Sequence, residues 1–356
     1  MKQEKSFSCF FQLAGSNMKK VSVVLLAAVI LAAGAFAAVR YFVPEKAEPA
    51  KSGGSDLLVS ITDQKLMTAY YENQNKLYEE KMTDYPAMAL DRKKRILYYT
   101  NTDNSNVKHL IRLDLQSGKK TTLYSGDEYV DGLSLSADGS KLFMRYNLAE
   151  ERNFHLASFD LKQKAYHVIY PSLKNKDETV SYYQYNKADN QFVMLHYSLK
   201  EDYQKTDDAN NKGVPPEPTN MNISMAGVKD RQKVRTIAKF INDVAISPDG
   251  KTIVFTESAD DQKAIYAMDA ETKKYKAIIS DQQAFSLVDS AQPQFSKDGK
   301  KLYFLAEAKD AKLLEDETGS EARVRTIYSY DMDTKKVSKA WEKTNGIINT
   351  FTVIDE

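Results

Sequence analysis

Cysteine is almost absent from this chain. Its 356 residues hold one, Cys9, ahead of a long apolar run, and nothing after that run carries a thiol. A folded domain downstream therefore needs no disulfide and can offer neither a thiolate nucleophile nor a Cys-ligated zinc. Histidine is scarce as well, with four in all: His109, His155, His167 and His196. None falls in a His-x-x-x-His or Glu-paired zinc spacing, and no Gly-x-Ser-x-Gly elbow marks a nucleophile. Charge of one sign is missing too. Lys+Arg number 50 against Asp+Glu 49, which argues against nucleic-acid binding driven by bulk charge. No catalytic residue, cofactor site or metal site follows from these residues. What the chain has in quantity is tyrosine, 22 of them, with 28% charged residues, a composition suited to half-buried strands.

One phrase recurs. A strand-like stretch leads into Ser-x-Asp-Gly, and a second apolar stretch follows, at Leu133–Arg145, Val244–Thr256 and Gln294–Leu305. A later partner, Asp-x-x-(Thr/Ser/Gln)-x-Lys or a near variant, follows each, as in YAMDAETKK and YSYDMDTKK. Aspartate and glycine here are turn chemistry: glycine accepts positive φ and aspartate bonds nearby backbone. A repeat of roughly 45–60 residues built from short strands and turns is the signature of a β-propeller. Blade one matches at Ala89–Thr100, with Lys93-Lys94 where the others have Asp-Gly. Blade two turns at Asp138-Gly139, blade three at a degenerate Asp189-Asn190, blade four at Asp249-Gly250 and blade five at Asp298-Gly299. The chain ends on Ile348–Glu356, which overlays Ile241–Asp249 and stops where the turn glycine should come. This predicts a sixth, composite blade, with an inner strand from the C-terminus and three strands from residues 57–80. Such closure removes the open edges between first and last blades.

Ahead of the propeller, Val21–Val39 carries no charge and is about 19 residues long, near the length that spans a bilayer. Lys19 and Lys20 precede it, so the positive-inside rule keeps residues 1–20 in the cytoplasm and puts the large domain outside. Ala35-Phe36-Ala37 is also a candidate cleavage site. The run is longer than an ordinary signal core, which favours an uncleaved anchor, and cleavage would export the domain all the same. Met18-Lys19-Lys20 resembles a translation start, so residues 1–17 read as an over-called extension. Residues 40–55, with their Pro, Gly and Ser, read as a flexible tether, leaving 56–356 for the propeller.

With these repeats in hand, the chain resembles the TolB-type, WD-like propeller group. The match is clear over blades two, four and five, weaker in one and poor in three. TolB itself carries an α/β domain before its propeller, whereas this chain has only an apolar segment and a tether there. The resemblance implies an all-β, six-bladed, extracytoplasmic and non-enzymatic interaction domain. The propellers of prolyl-oligopeptidase-like peptidases share the pattern, but those enzymes need a hydrolase domain that this chain has no room for.

Two insertions, Lys200–Thr219 and about Ala306–Arg325, fall between second and third strands. In an up-and-down blade those connections share one face with the links between blades, and long loops on a rigid scaffold commonly carry binding. The candidate binding residues are therefore Asp202, Tyr203, Asp207, Asp208, Asn211, Pro215 and Pro216 in the first insertion, with Glu315, Asp316, Glu317, Glu321 and Arg323 in the second. Asn101–Asn106, rich in oxygen ligands, reads as an Asx-rich turn, and Leu314–Glu321 as a solvated acidic loop. His109 and His155 stand five residues before Asp114 and Asp160 and read as one solvated repeat position. The expected role is a membrane-anchored module that binds a protein or cell-envelope partner. The alternatives are small-molecule or glycan binding in the central funnel, and a propeller lyase or glycosidase. The last would need a carboxylate pair, for which Asp131, Asp243 and Asp289 are the inner-strand candidates.

Overall fold

The computed structural model describes residues 56–82, 86–103, 105–227, 231–259 and 262–354. The apolar segment at 21–39 and the tether at 40–55 lie outside them. Among the described residues no helix is long and apolar enough to cross a membrane.

Six antiparallel sheets make the ring. Blades one to four run Met88–Asp91, Ile96–Thr102, Lys108–Asp114, Lys120–Gly126; Tyr129–Leu135, Lys141–Asn147, His155–Asp160, Ala165–Tyr170; Glu178–Asn186, Gln191–Ser198, Asn220–Ala226, Arg231–Ala238; and Ile241–Ile246, Thr252–Ala259, Gln262–Asp269, Tyr275–Ser280. Blade five has a broken inner strand, Phe285–Leu287 and Gln294–Phe295, then Lys301–Ala308, Arg325–Asp331 and Val337–Glu342. Blade six is composite as expected: Ile347–Ile354 pairs with Asp56–Thr62, followed by Met67–Glu72 and Asn75–Lys81. All these strands and the apolar clusters fall within 56–354, and the ring closes inside that span, so this portion is a self-contained folding unit.

Local chemistry explains the repeated phrase. At the first turn of blades two, four and five, the serine hydroxyl (Ser136, Ser247, Ser296) donates to the aspartate (Asp138, Asp249, Asp298) at 2.6–2.7 Å. The same hydroxyl oxygen accepts the backbone N–H that opens the second strand, at 2.9 Å each time. The following glycines sit at φ of +68°, +72° and +69°, where a side chain would be strained. Blade three makes the bend with Asn190 at φ +51°. Blade one uses Arg95 at φ +55°, with Asp91 accepting the Lys94 N–H at 3.0 Å.

The core is a ring of seams rather than one central mass. One cluster joins blades six and one around Leu58, Tyr70, Leu97 and Tyr99. Another joins two and three, where the Phe143 ring meets Tyr185 and Phe192 at 4.7 and 4.8 Å. Inner strands are unpaired on the channel side, and neighbouring side chains satisfy their backbone. Gln294 of blade five accepts the Val353 N–H and donates to the Phe351 carbonyl of the closing strand, at 2.9 and 2.7 Å. Gln184 of blade three accepts the Ile246 N–H of blade four at 3.1 Å. The single tryptophan, Trp341, donates its indole N–H to the Asn73 carbonyl, tying blade five to six. A register shift between third and fourth strands recurs in all six blades, at Tyr70/Tyr71, Leu110/Ile111, Leu156/Ala157, Ile223/Ser224, Ile265/Tyr266 and Ile327/Tyr328. Such bulges increase local twist and bend the outer strand.

Candidate interaction face

Strand direction sorts the connections. The links between first and second strands and between third and fourth are tight turns, and they share one face, the turn face. The links between second and third strands and between blades share the other, the loop face. Both insertions belong to the loop face, on blades three and five.

Neither insertion is the open loop expected from its polar sequence. The first begins with a 14-residue helix, α1, Leu199–Lys212. Ser198 caps it, accepting the Glu201 N–H at 3.0 Å, and Gly213 closes it at φ +66°. Asp177, in the link from blade two, accepts the Ser198 hydroxyl and the Lys200 N–H, each at 2.8 Å. Glu201 is salt-bridged to Lys205 at 2.9 Å and accepts from Asn220. The second insertion carries a small hairpin, Leu313–Glu315 with Glu321–Arg323, turned by Asp316 and by Gly319 at φ +83°. It leans on blade six: the Glu317 N–H donates to the Gln64 carbonyl at 2.9 Å, and Lys81 pairs with Glu317 at 2.7 Å.

The candidate residues divide accordingly. Asp202 accepts the Thr219 hydroxyl at 2.7 Å and Asp208 accepts from Gln204, so both brace the insertion. Tyr203 takes a hydrogen bond from Arg152 of blade two at 3.1 Å and remains exposed. Asp207, Asn211, Pro215 and Pro216 are exposed, Asn211 in the last turn of α1. Asp316 holds the hairpin turn, Glu317 the contact with blade six, and Arg323 donates to the Ala311 carbonyl at 3.0 Å. Glu315 and Glu321 are exposed and pair across the hairpin register. The two sets thus share a face but lean apart, one toward blade two and the other toward blade six.

Besides Tyr203, the exposed large apolar side chains add four positions that the residue types alone had not singled out. Five are found among the described residues, each 40–52% exposed: Leu173, Tyr203, Val214, Phe240 and Leu313. All five stand on the loop face. Leu173 and Phe240 lie in links between blades, Tyr203 and Val214 in the first insertion, and Leu313 on the hairpin. Each is isolated in sequence, so only the fold brings them to one surface.

The inner-strand acids do not form a carboxylate pair of shared environment. Asp131 is clamped by Arg145 through Nε at 2.8 Å and through Nη2, and the guanidinium also donates to the Ser181 carbonyl at 2.6 Å. Asp243 is wholly buried, and burial pushes its carboxyl up to about 6, although Gln292 N–H and Ser290 donate to it. Asp289, expected on an inner strand, lies instead in the break of blade five. Its side chain is 69% exposed and paired with Lys263 at 2.8 Å. Pro293 and Gln292, at φ +50°, interrupt the ladder there. The repeat histidines also diverge. His109 is partly exposed, between Ser125 and Asp103. His155 is not solvated as expected but fully buried, donating through Nδ1 to the Pro171 carbonyl at 2.8 Å and facing the Asn153 amide at 3.3 Å. Asp103 accepts the N–H groups of Ser105 and Val107, the geometry of an Asx-type turn.

One arrangement imitates a catalytic triad. His196 Nε2 lies 2.8 Å from Ser224 Oγ, and its Nδ1 lies 3.6 Å from Glu178, which also accepts the Tyr170 hydroxyl. Connectivity of this kind activates a nucleophile only where a substrate carbonyl can reach the serine. Ser224 has no exposed surface and His196 is 2% exposed, so the group is a hydrogen-bonded network inside blade three. Between blades one and two, Thr100, Lys108, Glu128 and Tyr166 line a cavity with room for about one water.

No family model matches the chain. It is 48% identical over 306 residues to the uncharacterized protein YdjN of Bacillus subtilis (strain 168), an alignment covering 85% of this chain and 88% of that protein. Among solved structures, TolB from Acinetobacter baumannii superposes with a TM-score of 0.55 at 12% identity, over 83% of this chain and 66% of that one. An oligogalacturonate lyase in complex with manganese superposes with a TM-score of 0.51 at 14% identity, over 80% of this chain and 73% of the lyase. At such identities the structural likenesses speak for the fold alone. The chain belongs to the family of Bacillus subtilis YdjN, and its fold is that of the TolB-type six-bladed propellers.

Proposed function

We propose that the chain is a membrane-anchored, extracytoplasmic propeller whose loop face binds a protein partner of the cell envelope without catalysing a reaction. The gathering of all five exposed large apolar side chains on the face that also carries α1 and the hairpin supports this most directly. Contiguous apolar surface marks interaction sites, while single exposed apolar side chains are ordinary; these five count because all stand on one face. Tyr203 suits such a role, because an aromatic anchor with a polar tip supplies contact area at low entropic cost. The apolar run at 21–39 and the lysines before it support anchoring and export. The funnel and lyase readings have less behind them. Asp131 is committed to Arg145 and Asp243 is sealed from solvent.

Capture from envelope extract tests the proposal. The full chain should retain a partner that is lost when Tyr203→Ala and Phe240→Ser are combined, while the melting curve of the variant stays near that of the parent. Retention of every bound protein by that variant, or thermal stabilisation by oligosaccharides alone, would turn the assignment toward the funnel.

A further inference from the structure

The turn face differs from the loop face in chemistry as well as in shape. None of the exposed large apolar side chains among the described residues lies on it. Blades one to five each bring exposed lysine into its tight turns, including Lys93, Lys162, Lys187, Lys251, Lys297 and Lys300. The acids of the same turns, Asp138, Asp189, Asp249, Glu271, Asp298 and Asp333, also reach solvent but are fewer than the lysines and arginines. Asp249 and Asp298 are held low in pKa, first by the serine hydroxyls that donate to them and then by backbone N–H groups of their own loops. Among the described residues the turns of this face therefore carry a net positive charge. The loop face has the opposite balance, with acidic residues outnumbering basic ones in both α1 with its following loop and the hairpin insertion. A molecule with a balanced total is thus polarised across its two faces.

The chain also enters on the turn face. Residue 56 begins the second strand of blade six, which starts at the turn end of that sheet. The uncharged run ends at residue 39, and a tether of that length has a reach of roughly 20–25 Å. We propose that the turn face docks on an anionic lipid surface and so holds the loop face outward. This rests on the anchoring read from residues 21–39. The contact is electrostatic and superficial: lysines on the turns meet lipid phosphates, and no apolar side chain is available to insert. Attraction of this type is worth about five-fold in partition per basic residue near the surface, and it fades within a Debye length of about 8 Å at physiological salt.

Flotation tests it. The portion 52–356, which forms a closed unit, is mixed with vesicles of phosphatidylcholine, with or without phosphatidylglycerol, at low and high salt. Binding is expected only with phosphatidylglycerol and at low salt. Combining Lys93→Gln, Lys162→Gln, Lys297→Gln and Lys300→Gln should reduce it by about 100-fold or more. Lys174→Gln with Lys312→Gln, exposed on the loop face, should leave it unchanged. No binding to phosphatidylglycerol at low salt, or equal losses from both sets of substitutions, would overturn the proposal. An alkaline carbonate wash of membranes holding the full chain reports separately on the anchor. Release there would remove the anchored reading, while the vesicle result stands or falls by itself.

Discussion

Replacing Asp243 with asparagine should stabilise the propeller at neutral and alkaline pH and change little only at about pH 4 and below. Asp243 lies on the inner strand of blade four opposite Thr256, with no surface exposed. One carboxylate oxygen accepts the Gln292 N–H and the Ser290 hydroxyl. The other oxygen is buried beside Thr256, whose hydroxyl and backbone N–H only partly offset the burial. Burial raises the carboxyl from 3.8 to about 6. A raised acid contributes its full stability below the unfolded value, near 3.8, and that contribution is lost as pH climbs through about 6. A difference of about two pH units at roughly 1.4 kcal/mol each gives ~3 kcal/mol withheld at about pH 8. Asparagine keeps an acceptor for Gln292 and Ser290 and carries no charge. Urea unfolding of parent and Asp243→Asn at about pH 4 and pH 8 should show a stability difference that widens toward high pH, up to ~3 kcal/mol. Carboxylates held low, such as Asp138 at about 2, weaken the fold only as pH drops toward that value, and both proteins share them. A difference that stays constant between the two pH values would refute the reasoning.

Two further outcomes follow from the geometry. Gln294→Ala should cost about 2–4 kcal/mol in denaturant unfolding, because it strands the Val353 N–H and the Phe351 carbonyl of the closing strand; a loss under about 0.5 kcal/mol would mean that water replaces both bonds. A fluorophosphonate probe should leave Ser224 unlabelled in the folded protein, and stoichiometric labelling detected by mass spectrometry would show that the blade opens and that the His196 network is reactive.

Most of the ring was legible because its determinants are local. Ser-x-Asp-Gly dictates one turn through contacts within six residues, as Ser247, Asp249 and Thr252 show. The composite blade was legible for a related reason: Ile348–Glu356 repeats the inner-strand pattern and lacks its hairpin partner. The helix α1 was missed although its ends were written in the chain. Ser198-Leu199-Lys200-Glu201 is a capping-box sequence and Gly213 a C-terminal stop. The segment between has no apolar stripe, burying only Leu199 and Ala209, so polarity and the prolines that follow argued for a loop. His155 and His109 share a register position yet differ in burial, because Asn153 and Pro171 close over one and not the other. That depends on links in neighbouring elements, which a repeat alignment does not contain. The exposed apolar residues other than Tyr203 fall in the same class, since no local pattern distinguishes them from core positions.

The two faces differ for a reason built into an up-and-down blade. Tight turns must reverse the chain within a few residues, so they draw on glycine, aspartate, asparagine and long charged side chains that reach water. That restricts the turn face to small and polar chemistry, here weighted toward lysine. The opposite face holds the links between blades and the hairpins between second and third strands, and lengthening such a link costs little closure entropy. A helix and a hairpin are accommodated there without disturbing a single seam of the core, as α1 and Leu313–Arg323 demonstrate. The helix, the hairpin and the exposed large apolar side chains therefore accumulate on one side of the ring. The other side carries short turns in which basic residues outnumber acidic ones, and residue 56 begins its strand there. The strand order alone thus separates the tight turns and the entry of the chain on one face from the helix, the hairpin and the exposed apolar side chains on the other.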